Sequence, residues 1–370
     1  MDLRLTGDPV PPTFILERFQ NTAEILYGPE VETSIPPMAP MRPYEKKEVT
    51  AALLQTDGSQ TQIPLTVTSE LLPNPKEAFL LFSDHPEILK QNGLLFSAGV
   101  IFLRPVRLNY YHENGPEEPP RAFVIRLDNT SEQEAIVHVL DACAGPGKDE
   151  VSIGHQASLM FLTRWLHHQG YIVTVPPKNH LILSRQIAKK GELVTGFLEV
   201  TELVGHPLQI SVLAEDPKAS EPDAFQLESK DTHVRGAYEM PHLYLEASYR
   251  AGDDPTILPL GDLPLKSLLP GQPLKGAYGM LWEGNIRLIN PYNSIETIPL
   301  YFQPRGGAAS GTFILDDFFK EVGPTQAYQK VLLFKFTLPP HSKKMVHFIT
   351  MPEGGSSYPI RLILGQSDTF

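Results

Sequence analysis

"AFVIRLDNTSEQEAIVHVL" (residues 122–140) and "EGNIRLINPYNSIETIPLY" (residues 283–301), set side by side, decide the fold. Both contain I-R-L-x-N, ending at Asn129 and Asn290, and both return to apolar strand positions at Val137 and Val139 or at Ile298 and Leu300. The likeness continues in "VTVPPKNHLILSRQI" (173–187) and "FTLPPHSKKMVHFIT" (336–350). From the asparagine to the second proline is 48 residues in one copy and 50 in the other, and a glycine follows each proline by 14, Gly191 and Gly354. Several matches in register, at offsets of 161 to 163, indicate duplication of one unit. Each copy holds about seven short alternating segments separated by turn residues, the pattern of an antiparallel sandwich.

Composition agrees. Thirty-six prolines in 370 residues disfavour long helices and suit strand ends and turns. A hydrophobic content of 41% provides for packed interiors. The formal charge of −12, with no basic run interleaved with aromatics, excludes nucleic acid as a partner and disfavours anionic membranes. The longest apolar run, "LLFSAGVIFL" (94–103), is too short for a bilayer, which needs about 20 residues, so an integral membrane protein is not expected. Cys143 is the one cysteine, so no intrachain disulfide forms.

The expected fold class is all-β: two tandem immunoglobulin-like antiparallel β-sandwiches, one helix inserted in the first, and an extended Pro-rich N-terminal arm. Residues 1–47 read as that arm and 48–215 as the first sandwich, opening with a hairpin around "TDGSQ". The polar stretch 216–232 reads as a linker and 233–370 as the second sandwich. In the first copy "SIGHQASLMFLTRWLHHQG" carries Ala157, Phe161 and Trp165 at i, i+4 spacing, predicting a helix over 153–169 with Ser152 as cap and Gly170 beyond its end. That helix either covers the sandwich or bridges the two domains. In the second copy "GTFILDDFFKEV" (311–322) predicts a hairpin turning at Asp316-Asp317.

A strand ending in Asn, followed later by a "PP" turn, resembles the bacterial immunoglobulin-like modules of secreted and surface proteins. "FSDHPEILKQNGLLFSAGV", "LNYYHENG", "GAYGMLW", "GTFILDD" and "MPEGGSSYPIRLIL" resemble motifs of largely uncharacterised bacterial exported proteins built of two such sandwiches. The resemblance covers most of 77–370 and implies an extracellular or cell-envelope protein. The N-terminus as written shows no signal peptide.

Chemistry is sparse. His167 and His168 are adjacent on a helix and diverge by about 100°. His138, Asp141 and Cys143 form the one mixed cluster, but strand alternation puts His138 opposite the other two. No G-x-S-x-G elbow, H-E-x-x-H or phosphate loop occurs, and carboxylate pairs cannot be chosen among 43 acidic residues. No catalytic residue, metal ligand or cofactor is expected.

The candidates are surface ones: Tyr110, His112, Trp165, Tyr244 and Trp282. Tyr110-Tyr111-His112-Glu113 reads as a strand end at the sandwich edge, matched in the second copy by Met280-Leu281-Trp282-Glu283. The expected function is a non-catalytic structural or binding protein whose partner is another protein or a second copy. The alternatives are a self-assembling subunit that uses its arm for strand addition, and a carbohydrate-binding or carbohydrate-active protein.

Overall fold

A computed structural model describes residues 1–28, 30–55, 57–73, 79–100, 104–205, 207–218, 225–239, 241–268 and 271–366. The chain is mostly β, arranged in four sheets, with two α-helices among the described residues. Part of the expected linker (219–224) and the end of the 94–103 apolar run lie outside the described residues.

The duplicated motifs occupy equivalent places. Arg121–Asn129 pairs with Asn179–Ala188, as Leu281–Ile289 pairs with Lys343–Thr350. Ala135–Gly147 lies between Gly170–Val175 and Leu193–Val204, as Glu296–Pro304 lies between Val331–Leu338 and Ile360–Leu364. Outside Leu193–Val204 runs Val106–Asn114, and outside Ile360–Leu364 runs Thr256–Leu260.

The shared asparagine explains itself. Asn129 Nδ2 donates to Gln133 O (2.8 Å) and Val175 O (3.1 Å), while its Oδ1 accepts from Ser131 N (3.0 Å). Asn290 Nδ2 donates to Ser294 O (2.8 Å) and Leu338 O (3.1 Å), and its Oδ1 accepts from Tyr292 N (2.9 Å). Both are buried, so one side chain satisfies the turn after its strand and the strand before the "PP" turn. Past each "PP" the chain enters the left-handed region at Lys178 (φ 49°) and His341 (φ 51°).

The first half packs the sheet containing Arg121–Asn129 and Asn179–Ala188 against a larger one of eleven strands. The second half closes around its own core, which includes Ile286, Leu300, Phe302, Phe313 and Phe348. Residues 193–200 and 137–142 of these central strands are buried on both faces.

The extended arm is overturned. Asp2–Thr6 is an inner strand of the large sheet, antiparallel to Gly170–Val175 and parallel to Gln60–Glu70. Pro12–Tyr27 is a 16-residue helix, α1, with proline at its start where no amide partner is lost. Its buried face is Phe14, Ile15, Arg18, Phe19 and Ala23, an i, i+4 pattern masked by the prolines around it. The hairpin Lys46–Leu54 with Gln60–Glu70 forms as expected, as does Ala309–Leu315 with Phe318–Thr325.

Three further expectations change. The sheets are not purely antiparallel, since Phe79–Ser83 runs parallel to Val106–Asn114 and His242–Arg250 parallel to Leu281–Ile289. Arg235–Tyr238, expected in the second sandwich, pairs with Phe79–Ser83 of the first, and Leu80, Phe82 and Tyr238 pack into the second core. The inserted helix, α2, spans Glu150–Leu166 and is capped by Asp149, whose side chain accepts from Ser152 N (3.1 Å). Gly170 instead opens the next strand, where a Cβ would stand 2.4 Å from the His138 ring.

Candidate functional site

Four of the five surface candidates are interior. Tyr110 is 1% exposed and its hydroxyl donates to Gln186 Oε1 (2.6 Å). His112 is fully buried. Its Nδ1 lies 2.8 Å from Pro86 O, which can only accept, so Nδ1 carries the proton and Nε2 accepts from the Ser83 hydroxyl (2.9 Å). Burial pulls its pKa down to about 4 against the bond to Pro86, leaving a neutral imidazole with both nitrogens engaged.

Val106–Asn114 is no sandwich edge, since strands flank it on both sides. Its counterpart is Thr256–Leu260, so the match of His112 to Trp282 is corrected. Trp282 lies inside the strand equivalent to Arg121–Asn129 and is buried in the second core.

Trp165 is buried as well, but its ring meets His242 edge-on (6.1 Å), and His242 stacks on Tyr244 at 4.4 Å. Tyr244, 51% exposed, is the one of the five whose ring lies at the surface. Beneath it Glu283 bridges His242 Nε2 and His347 Nε2, each at 2.9 Å. Burial raises the Glu283 pKa, but the two imidazoles outweigh it and hold the carboxylate below its usual range. His138 and Asp141 also part: His138 meets Thr6 Oγ1 (2.9 Å), and Asp141 meets two arginines.

Helix α2 is the bridge between the halves. Ile153, Ala157, Phe161 and Leu162 pack between Leu140, Ala142 and Phe197 of the first half and Leu281, Ile314 and Ile349 of the second. Its backbone approaches the "MPEGG" segment so closely that a Cβ on Gly154 would sit 1.8 Å from Gly354 O.

Beside that contact lies a polar lock. His155 Nδ1 is 3.0 Å from both oxygens of Glu353, which is fully buried, and Nε2 is 3.0 Å from Glu321. The Ser310 and Thr312 hydroxyls also donate to Glu353. The hydrogen bond to Glu353, working against burial, raises the His155 pKa to about 9, so the ring is an imidazolium at neutral pH. A second buried pair, Arg107 with Glu199 (2.8 Å), has its guanidinium also donate to Pro241 O (2.7 Å) and Gly279 O (3.2 Å).

A cleft of about 410 Å³ lies elsewhere, between α1, the Asp141–Pro146 segment and the strand Asn179–Ala188. At its base Asp141 takes Arg18 Nη1 (2.6 Å) and Arg164 Nη1 (2.7 Å), while Glu17 takes Arg18 Nη2 (2.9 Å) and also pairs with Arg164. Arg18 lies over Tyr171 (4.7 Å to the ring centre). Burial opposes the charge on Arg18, but Asp141, Tyr171 and Glu17 outweigh it and raise its pKa. Cys143 also lines the cleft, and burial, reinforced by Asp141, pushes its thiol up to about 11, which keeps it a poor nucleophile.

The lock and the cleft were both missed from sequence. "MPEGGSSYP" held the signal for the lock, as a glycine pair next to an acid. The cleft draws on residues 17–25, 141–146, 164 and 183–187, which no local pattern joins. Among the described residues no cluster of three or more His, Cys, Asp or Glu has metal-holding geometry, and no helix is long and apolar enough to cross a membrane.

No protein-family model and no curated protein matches the chain. Among solved structures it is similar to Lac15 from a marine microbial metagenome, at 10% identity over 89% of this chain and 74% of that one, with a TM-score of 0.16. It is similar to the tandem CBM22-1-CBM22-2 domains of Paenibacillus barcinonensis Xyn10C at 9% identity, over 91% and 86%, with a TM-score of 0.14. The M60 catalytic domain of Clostridium perfringens ZmpB with its two CBM51 domains follows at 7% identity, over 91% and 41%, with a TM-score of 0.16. Scores this low assign neither fold family nor function.

Proposed function

We propose that the chain is a non-catalytic binding or structural protein of the cell surface or extracellular space. In this reading it is built of two immunoglobulin-like sandwiches that α2 holds as one rigid body. The observation that carries the reading is the interface: an apolar layer from both halves closes on α2, and a buried carboxylate from one half takes an imidazolium from the other. Three histidines with shifted pKa are committed to structure. His112 and His138 are held neutral in the interior, and His155 is tied between two carboxylates. Turnover assays across peptide and glycan substrates test it. Activity abolished by a single substitution would overturn it.

Strand addition by a free N-terminal arm loses its basis, because Asp2–Thr6 is already paired on both sides. The glycan alternative keeps one observation in its favour, the exposed Tyr244 ring stacked on His242 above Glu283. Calorimetric titration with oligosaccharides, compared with Tyr244→Ala, tests that alternative directly.

A further inference from the structure

We infer that the cleft beside α1 takes an extended peptide segment of a partner protein, which adds as a strand to the open edge of Asn179–Ala188. In a strand successive side chains point to opposite faces, so a pocket on one face draws on every second residue. Here five consecutive residues, Leu183 to Ile187, line the cleft. The cleft therefore runs along the edge of the strand, the side on which its backbone has no ladder partner among the described residues.

Among the described residues that strand is the end member of its sheet and pairs on one side, with Arg121–Asn129. Its register breaks between Ile182 and Ser184 and is regular from Ser184 to Ala188, so the regular part of the edge coincides with the cleft.

Open edges invite pairing with other chains, and proteins usually blunt them. Three other edges are blunted: Glu32–Ser34 is three residues long, while Thr256–Leu260 and Phe318–Thr325 contain Pro259 and Pro324; His242–Arg250 is a long end strand too, but it does not border the cleft. Asn179–Ala188 is ten residues long and holds neither proline nor lysine. Helix α1 faces it across the gap as a second wall instead of covering it.

The lining selects the occupant. Glu17, Glu24 and Asp141 balance Arg18, Arg164 and Arg185, so the cleft offers donors and acceptors without a net field. This complements a neutral peptide main chain better than an ion. No aromatic ring is among the lining residues, which removes the stacking platform a glycan would use. The volume of about 410 Å³ falls within the ~300–1,000 Å³ of ligand pockets and suits a few residues with small side chains. Main-chain hydrogen bonding along an edge is a recurrent mode of peptide capture.

The inference rests on the binding reading above and names the partner class. The test pans a random heptapeptide phage library on the full chain, then measures affinity and amide hydrogen exchange with the selected synthetic peptides. The expected result is exchange slowed at least tenfold at alternate amides between residues 183 and 187. Affinity should fall at least tenfold in Asn21→Trp, which fills the cleft from α1, and be retained in Tyr244→Ala. Melting curves confirm that both variants fold, and the exchange readout on the unaltered chain needs neither.

Failure to enrich any peptide, or peptides that bind without slowing those amides, overturns the inference. So does protection of the same amides by soluble oligosaccharides, or by raising the concentration of the chain alone, which would place a second copy in the cleft. None of these failures affects the turnover assay, which tests the binding reading separately.

Discussion

Replacing His155 with glutamine tests whether the two halves are locked. The change leaves Glu353, fully buried, with the Ser310 and Thr312 hydroxyls but no cation. Breaking one side of a buried ion pair costs about 3–5 kcal/mol. The His155 side chain is 21% exposed and its other partner, Glu321, is 50% exposed, so that second bond adds little and the low end applies. The expected loss is about 3 kcal/mol.

Urea unfolding followed by tryptophan fluorescence suits the measurement, because the two tryptophans are Trp165 in α2 and Trp282 in the second half. The sign of the pH dependence follows from the raised pKa. With His155 at about 9 in the folded chain and about 6.5 unfolded, its contribution is complete below pH 6.5 and is lost as pH rises toward 9. His155→Gln should remove that alkaline decline. Glu353→Gln should move it to lower pH. A loss under about 1 kcal/mol in His155→Gln, or an unchanged alkaline decline, would refute the reasoning.

Other outcomes follow from the same geometry. Asn129→Ala and Asn290→Ala should each cost about 2–4 kcal/mol in chemical denaturation, since the first strands two carbonyls and an amide and the second three carbonyls and an amide. His112 and His138 are both held neutral at about 4, so stability is present above about pH 6.5 and falls as pH drops toward 4. In NMR titrations neither ring should ionise near 6.5 while the chain is folded. Gly154→Ala, which in an open helix would stabilise by up to about 1 kcal/mol, should destabilise by about 1–3 kcal/mol because the new methyl meets Gly354 O. Trp282→Ala should cost about 3–5 kcal/mol, and Tyr244→Ala, on an exposed ring, less than about 0.5 by thermal unfolding.

What the sequence by itself determined is local and periodic. The repeated I-R-L-x-N and "PP" segments announced the twofold pairing scheme because one buried asparagine must satisfy fixed backbone groups at both ends of it. The apolar spacing of Ala157, Phe161 and Trp165 announced α2, since a helix face needs nothing beyond its own sequence to be legible. The same spacing existed in α1 at Phe14, Ile15, Phe19 and Ala23, but dense prolines argued the other way, and packing against the large sheet decided the matter.

Only tertiary structure could decide which apolar strands are buried on both faces. It also decided that Tyr110, His112 and Trp282 point inward, and that Arg235–Tyr238 stays with the first half. The cleft and the His155–Glu353 lock belong to the same class. Each joins residues more than a hundred positions apart, and chemistry assembled across that distance leaves no period in the sequence to read.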